Sequence, residues 1–283
     1  MRIVQRRAAL KKILWTFKNH KETVGFVPTM GYLHEGHLSL VRRARKENDR
    51  IVVSIFVNPL QFGPKEDFAH YPRDTRRDLR LLKKENVDVV YLPDEKIFYS
   101  SGFQTLVSVA KLSRPLCGAT RPTHFAGVAT VVLKLLNQIL PDTLYLGQKD
   151  YQQCRVLEQM VEDLDLPVKI HQCPTLREKD GLAMSSRNFY LDAQERMQAA
   201  YLNRALGAAE ALIRRGAHGA EKIKIAMRKT LENATRARVD YAEIVDAATL
   251  EPVVQLKKGR KVELALAVFF SKTRLIDNRI IKV

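Results

Sequence analysis

Cysteine is nearly absent. The three present, Cys117, Cys154 and Cys173, are odd in number and far apart. That excludes a fully paired disulfide framework and any CxxC zinc or redox site, and it fits a reducing cytosol. Long apolar runs are missing as well. No stretch approaches the roughly 18 residues that a membrane span needs; the longest candidates, such as Val262–Phe270, have strand length and contain charge. No Gly/Ser linker, internal repeat or low-complexity tract interrupts the chain. No GxGxxG follows the first strand-like run, which speaks against a dinucleotide-dependent dehydrogenase. Acid is scarce: 31 Asp and Glu stand against 48 Lys and Arg, a net charge of +17.

What remains is the composition of a globular protein. In 283 residues, 46% are apolar and 28% charged, enough core for one large domain or two ordinary ones. The basic excess raises nucleic acid as a partner. Its distribution argues otherwise, because residues 1–176 hold 27 basic and 18 acidic side chains and residues 177–283 hold 21 and 13. The densest runs, Arg73–Lys84 and Lys257–Lys261, read as a solvated helix face and a turn. Such a surface steers anionic substrates at long range without binding RNA specifically. Residues 2–21 carry seven cations and no acid, a bias shared with transit peptides. Ile3, Leu10, Ile13, Leu14 and Phe17 nevertheless fall at roughly helical spacing, so a first helix packed on the fold is expected.

Along the first half, strand-like and helix-like segments alternate. Val24–Val27, Ile51–Val57, Val87–Leu92, Leu144–Leu146 and Val168–His171 read as strands. Leu38–Asn48, Asp74–Glu85, Ala129–Leu140 and Tyr151–Leu164 read as helices. That order predicts an α/β fold, a Rossmann-like doubly wound parallel sheet. After about Thr175 the pattern changes. Ala193–Arg215 and Gly219–Ala234 read as helices, and Val239–Val245, Val262–Phe269 and Leu275–Ile281 as strands. A smaller α+β domain over 177–283 is therefore expected beside a nucleotide-binding domain over 1–176.

Five segments carry candidate chemistry. Pro28-Thr29-Met30-Gly31-Tyr32-Leu33-His34-Glu35-Gly36-His37 lies between a strand and the following helix. In such sheets ligands bind at the carboxyl ends of strands. Glycines let backbone approach a ligand, and the new helix offers N–H groups to phosphate. Two histidines three apart can donate to phosphate oxygens and to charge developing on phosphorus. Asp180-Gly181-Leu182-Ala183-Met184-Ser185-Ser186-Arg187-Asn188 supplies small hydroxyls and a guanidinium fork suited to phosphates. Gly147-Gln148-Lys149-Asp150-Tyr151-Gln152-Gln153 is another strand end opening a helix; Lys149 suits a triphosphate, and Asp150 a ribose hydroxyl, a magnesium-bound water or simply a helix cap. Asn58 and Gln61, with Tyr71 downstream, offer hydrogen bonds to a small ligand, although an Asn-Pro turn is the plainer reading. Arg121-Pro122-Thr123-His124-Phe125-Ala126-Gly127-Val128 reads as a loop over the site.

The HxGH tetrad resembles the signature of the nucleotidylyltransferase superfamily, and Met-Ser-Ser-Arg resembles its Lys-Met-Ser-Lys-Ser loop. All five segments, with 239–253 and Thr273-Arg274-Leu275-Ile276-Asp277-Asn278, resemble the pantothenate synthetase (pantoate–β-alanine ligase) family along essentially the whole chain. The resemblance implies ATP-dependent condensation of pantoate with β-alanine through a pantoyl adenylate, with Mg²⁺, in a cytoplasmic homodimer without nucleic-acid or membrane partners. It places Met30, Gly31, Tyr32, Leu33, His34, Glu35, Gly36 and His37 at ATP, with Gly147, Gln148, Lys149, Asp150, Leu176, Met184, Ser185, Ser186 and Arg187. His37, His34, Lys149 and Arg187 become the catalytic set. Gln61 and Gln153 would hold pantoate, with Asn58, Tyr71 and Arg121 as further candidates. Asp78 would help hold Mg²⁺ through water, although an acid beside Arg77 on a helix also reads as merely exposed. Tyr32 stands where that family commonly has a smaller residue, and Cys154 where an apolar residue is expected. A nucleotidylyltransferase releasing a dinucleotide-like product and an RNA-binding protein on a similar scaffold are the competing readings. The two glutamines suit a small hydroxy acid better than a second nucleotide.

Overall fold

In the computed structural model, which describes residues 1–64 and 66–283, the chain divides into two compact units. The first comprises 1–113, 121–148 and 153–174; the second comprises 114–120, 149–152 and 175–283. Two short internal segments therefore belong with the C-terminal part.

The first unit is built on β1 (Arg2–Val4), α1 (Arg7–Asn19), β2 (Val24–Thr29), α2 (Glu35–Glu47), β3 (Arg50–Ile55), α3 (Thr75–Lys84), β4 (Val89–Tyr91) and α4 (Glu95–Phe98). After α5 (Cys117–Thr120), which belongs to the second unit, come α6 (His124–Ile139), β5 (Thr143–Gly147), α7 (Tyr151–Asp163) and β6 (Lys169–Cys173). The strands form one parallel sheet in the order β1-β4-β3-β2-β5-β6. From β2 the chain winds one way through β3 and β4, then returns to add β5 and β6 on the other side. That reversal makes the carboxyl end of β2 the topological switch point, where a doubly wound sheet leaves its binding crevice. The segment carrying His34 and His37 leaves β2 there.

The pattern that marked the strands is what buries them. Ile51, Val52 and Val53 are wholly buried, as expected of a strand covered on both faces. α2 turns Leu40, Val41 and Ala44 inward onto a cluster with Val27, Val53 and Val90. The basic N-terminus is built into the fold: β1 pairs with β4, and α1 buries Leu10 and Phe17. β1 has only three residues, too few for a periodicity to reveal. The expected loop over 121–128 is corrected, because α6 begins at His124.

The second unit contains α8 (Ala193–Ala199), α9 (Tyr201–Arg214) and α10 (Ala220–Glu232). They pack on an antiparallel sheet of β7 (Ala237–Asp246), β8 (Lys261–Phe270) and β9 (Thr273–Lys282) in that order. The helix expected over 193–215 is two helices that meet at Ala200; nothing local in the sequence marks the break. Leu202, Ala205, Leu206 and Ala209 of α9 share a core with Leu264, Leu266 and Val268 of β8. The opposite side of β8 holds Glu263, which is 3% exposed, and its Oε2 has no hydrogen-bond partner among the described residues.

Burial raises the Glu263 carboxyl to about 8 from an ordinary 4.5. Between those values the folded chain keeps a proton that the unfolded chain gives up, so stability falls as pH rises through that window, by about 1.4 kcal/mol per pH unit. Below it both states are protonated; above it both are ionised and the loss is complete. Glu263→Gln removes the titration. Its melting temperature relative to the parent is expected to rise steadily from pH 5 to pH 8 and then level off; a pH-independent difference contradicts this.

Candidate active site

The backbone reverses sharply on leaving β2. Gly31 sits at φ +83° and Tyr32 at φ +49°. The first suits glycine; a Cβ at position 31 would stand 2.9 Å from Ile55 Cγ2 and 3.1 Å from Asp78 Oδ2. The second is a sparsely populated conformation for a tyrosine, which costs of order 1 kcal/mol unless its surroundings hold it. They do so through α3. Asp78 Oδ2 accepts the Tyr32 N–H and Oδ1 accepts the Leu33 N–H, both at 2.8 Å. Arg77 donates to the Leu33 carbonyl at 2.8 Å, and its guanidinium lies 5.5 Å from the Tyr32 ring centroid. Thr29 Oγ1 receives the Gly31 N–H at 3.3 Å and donates to the Ser54 carbonyl at 2.7 Å.

This corrects two readings. Asp78 is 1% exposed, not a solvated helical acid. The Arg73–Lys84 run is not simply a solvated face either, since Arg77 holds the loop and Arg73 donates to the Tyr71 carbonyl at 2.9 Å. Burial pushes the Asp78 carboxyl above its ordinary range, against the two amides that favour its charged form. Asp78→Asn keeps the shape but sets an N–H₂ group against a backbone N–H. An unsatisfied buried donor costs about 1–3 kcal/mol. The variant is expected to melt several degrees lower, with an unchanged Mg²⁺ concentration for half-maximal activity. A shifted Mg²⁺ requirement at unchanged stability would assign Asp78 to the metal instead.

The loop delivers His34 to the N-cap of α2 and Glu35, Gly36 and His37 to its first turn. The His34 N–H donates to His37 Nδ1 at 3.3 Å. A ring whose Nδ1 accepts carries its neutral-state proton on Nε2. The two imidazoles lie 4.0 Å apart, tilted by 33°. Two nitrogen-bearing rings and a helix N-terminus thus share one strand end, an arrangement suited to phosphate.

At the end of neighbouring β3, Pro59–Gln61 forms a single 3₁₀ turn capped by Asn58. Asn58 is 1% exposed and uses its whole amide. It donates to Gln61 Oε1 and to the Gly127 carbonyl, each at 3.1 Å, and accepts from Tyr99 Oη at 2.8 Å and the Leu60 N–H at 3.4 Å. Asn58 therefore sets the position of Gln61. Gln61 Nε2 reaches Met30 Sδ at 2.9 Å, which joins this turn to the loop after β2. The Gln61 carbonyl receives Arg121 at 3.2 Å and meets His124 Nδ1 at 2.8 Å. Arg121 also grips Glu66 through two bonds of 2.5 and 2.6 Å. Burial pushes the Glu66 carboxyl up, but the Arg121 pair outweighs it and leaves the carboxyl below its ordinary range. Tyr71 is buried, edge-on to Phe62. A cavity of about 210 Å³ opens beside the Met30–Gly31 backbone, lined also by Arg73, Asp74, Asp78 and Glu95.

β5 ends at Gly147, and Gln148–Asp150 makes a 3₁₀ turn into α7. Gln153 is half-buried on the first turn of α7. The thiol of buried Cys154 lies 3.5 Å from the Gly147 carbonyl, so a small thiol serves where an apolar residue was expected. In the second unit, Lys149 pairs with Asp150 at 3.3 Å. Residues 177–183 form a tight turn, with Gly181 at φ +92° and the Glu178 N–H on the Leu182 carbonyl at 2.8 Å. The Leu176 carbonyl takes the Met184 N–H at 3.0 Å. Ser185 caps the 3₁₀ turn Ser186–Tyr190 by accepting the Arg187 N–H at 3.3 Å, and Ser186 is buried.

The site residues read from sequence thus fall into two groups. The first unit contains Met30–His37, Asn58, Gln61, Tyr71, Asp78, Arg121, Gly147, Gln148 and Gln153, of which Met30 and Gln61 are joined directly, as are Tyr32 and Leu33 with Asp78. The second holds Lys149, Asp150, Leu176 and Met184–Arg187. Sequence reading missed Glu66, Tyr99 and Arg177, the last of which pairs with the buried Asp277. No short-range pattern marks them, because each partner lies tens of residues away. Among the described residues no group of three or more His, Cys, Asp or Glu is arranged to hold a metal ion, and none of the helices is long and apolar enough to cross a membrane.

Comparison with known proteins identifies the family. The family model for pantoate-beta-alanine ligase matches residues 2–280. A pantothenate synthetase of Thermotoga neapolitana is 55% identical over 281 residues, covering 99% of this chain and 100% of the relative. The crystal structure of a pantothenate synthetase from Thermus thermophilus superposes with a TM-score of 0.93 at 45% identity, covering 99% of both chains. A pantoate-beta-alanine ligase from Francisella tularensis, described as complexed with beta-gamma ATP and beta-alanine, gives a TM-score of 0.80 at 35% identity, covering 99% of this chain and 97% of its own. With the doubly wound sheet, its switch-point histidines and a full-length match in hand, the chain belongs to the pantoate–β-alanine ligase family of enzymes.

Proposed function

We propose that this chain joins (R)-pantoate to β-alanine at the expense of ATP, forming pantoyl adenylate and pyrophosphate first and then pantothenate and AMP. The observation that carries the reading is the anchored strand-end loop, which sets His34 and His37 at an N-terminus suited to phosphate.

The chemistry follows from what carboxylates lack. A carboxylate is a poor acyl donor, and attack of pantoate oxygen on the α-phosphorus gives it AMP as a leaving group. Two anions must meet in that step, so the protein's task is to position them and offset charge. His37 and His34 donate to phosphate oxygens as pyrophosphate leaves. Lys149 and Arg187 are the cations assigned to phosphate, with Met184, Ser185 and Ser186 in the segment that carries Arg187. Glu35, Gly36, Gly147, Gln148, Asp150 and Leu176 complete the nucleotide contacts. Gln61, held by Asn58 and Met30, binds pantoate with Gln153; Arg121 and Tyr71 shape the turn that carries it. The amine of β-alanine then attacks the acyl carbon, and AMP departs.

Mg²⁺ accompanies ATP as part of the substrate. The donors present do not fit a resident metal cage, since Asp78 already accepts two backbone N–H groups, and Mg²⁺ is commonly held by phosphates and water. A homodimer in the cytosol is proposed from the family resemblance. The three cysteines are buried and form no disulfide among the described residues, in keeping with a reducing compartment. The test is product analysis with ATP, Mg²⁺, pantoate and β-alanine. Pantothenate and AMP in equal amounts are expected. ADP in place of AMP, or no product without a different acid, would refute the reading.

A further inference from the structure

The tail segment Thr273–Asn278 entered the sequence reading only as a resemblance, yet it ties together the two parts of the second unit assigned to phosphate. Asp277 and Asn278 are successive residues of β9, so their side chains leave opposite faces of the sheet. The Asp277 side chain is fully buried and takes the Arg177 guanidinium through two bonds, at 2.6 and 3.0 Å. Arg177 also donates to the Gly181 carbonyl at 3.1 Å, which braces the turn leading directly into Met184–Arg187. On the other face, Asn278 Nδ2 donates to the Lys149 carbonyl at 2.7 Å. The two arms meet at one peptide, because Asp277 Oδ1 also accepts the Asn278 N–H at 2.8 Å. β9 pairs with β8 from Thr273 to Lys282, a rigid support for both.

We propose that Asp277 and Asn278 are positioning residues for adenylation. Through Arg177 and the Lys149 carbonyl they fix the cation-bearing segments 184–187 and 149–150 to a single strand. Neither touches a reacting atom. Their effect falls on ATP use and spares the amide-forming half-reaction, in which no triphosphate takes part. The proposal rests on the assignment of Lys149 to the phosphates.

Asn278→Asp is the direct test, since it keeps the shape but replaces the donor with an oxygen facing the Lys149 carbonyl. Pantoate-dependent exchange of pyrophosphate into ATP is expected to fall at least tenfold, chiefly through a higher KM for ATP. Single-turnover transfer from adenylate already formed on the enzyme to β-alanine should stay within twofold of the parent. In a Lys149→Ala background the same change should cost under threefold, because residues acting through one another are not additive. Full multiplication of the two effects, or equal loss in both half-reactions, would overturn the proposal. Wild-type exchange in Lys149→Ala would instead defeat the assignment of Lys149 itself. A weakened Lys149→Ala beside an unaffected Asn278→Asp would defeat only the positioning role. Should Asn278→Asp not fold, Asn278→Ala removes the donor without adding charge and carries the same expectations.

Discussion

Replacing His37 by alanine is expected to slow pantoate-dependent pyrophosphate exchange by about 10²–10³-fold, the usual loss when one donor to developing charge is removed. Melting temperature should fall by only a few degrees, because the half-buried ring takes part in the α2 capping box, whose loss costs about 0.5–2 kcal/mol. The separation of the two effects follows from the anchoring of the loop. Its fold depends on Asp78, Arg77 and Thr29, not on the His37 ring. To local structure the His37 ring contributes the 3.3 Å bond it accepts from the His34 N–H and its 4.0 Å contact with the His34 ring. That same bond fixes the tautomer and leaves the ring's proton on Nε2. Parent-like exchange in a folded His37→Ala protein would remove the residue from the mechanism.

Gly127→Ala has the opposite signature, a loss of fold and of substrate affinity together. A Cβ there would stand 2.2 Å from the Leu60 carbonyl oxygen and 2.6 Å from the Gln61 nitrogen. Both are backbone atoms, so no rotamer change relieves the clash, and α6 must separate from the 59–61 turn. Overpacking of this kind costs about 3 kcal/mol or more. For a chain of this size that corresponds to a melting temperature lower by roughly 6–12 °C. Separation also breaks the Asn58 bond to the Gly127 carbonyl and shifts the carbonyl on which Arg121 and His124 converge. KM for pantoate is expected to rise at least tenfold, with KM for ATP changed less. A variant that melts like the parent and keeps its pantoate KM would show that the contact is not required.

The parts of this fold that were legible in the sequence are those governed by local periodicity. Ile51–Val53 announces a strand buried on both faces, and Leu40, Val41 and Ala44 announce the inner face of α2. The HxGH and Met-Ser-Ser-Arg segments were visible because strand-end loops place small, cationic and imidazole side chains at fixed spacing. Contacts made across long sequence separations were not legible. Asp78 looks like any exposed helical acid until the loop 45 and 46 residues earlier closes on it. Asn58 reads as a ligand contact, yet Tyr99 and Gly127 take up its amide from 41 and 69 residues away. The start of α6 was hidden by Gly127, whose poor helix propensity suggests a loop; close packing on Leu60 explains a glycine there.

The most direct measurement is exchange of labelled pyrophosphate into ATP, with Mg²⁺ and pantoate present and β-alanine omitted. Pantoate-dependent exchange is the predicted result, since it requires an acyl adenylate that forms reversibly before any amine enters. Its absence from a folded protein that still binds ATP would contradict adenylation of pantoate at this site.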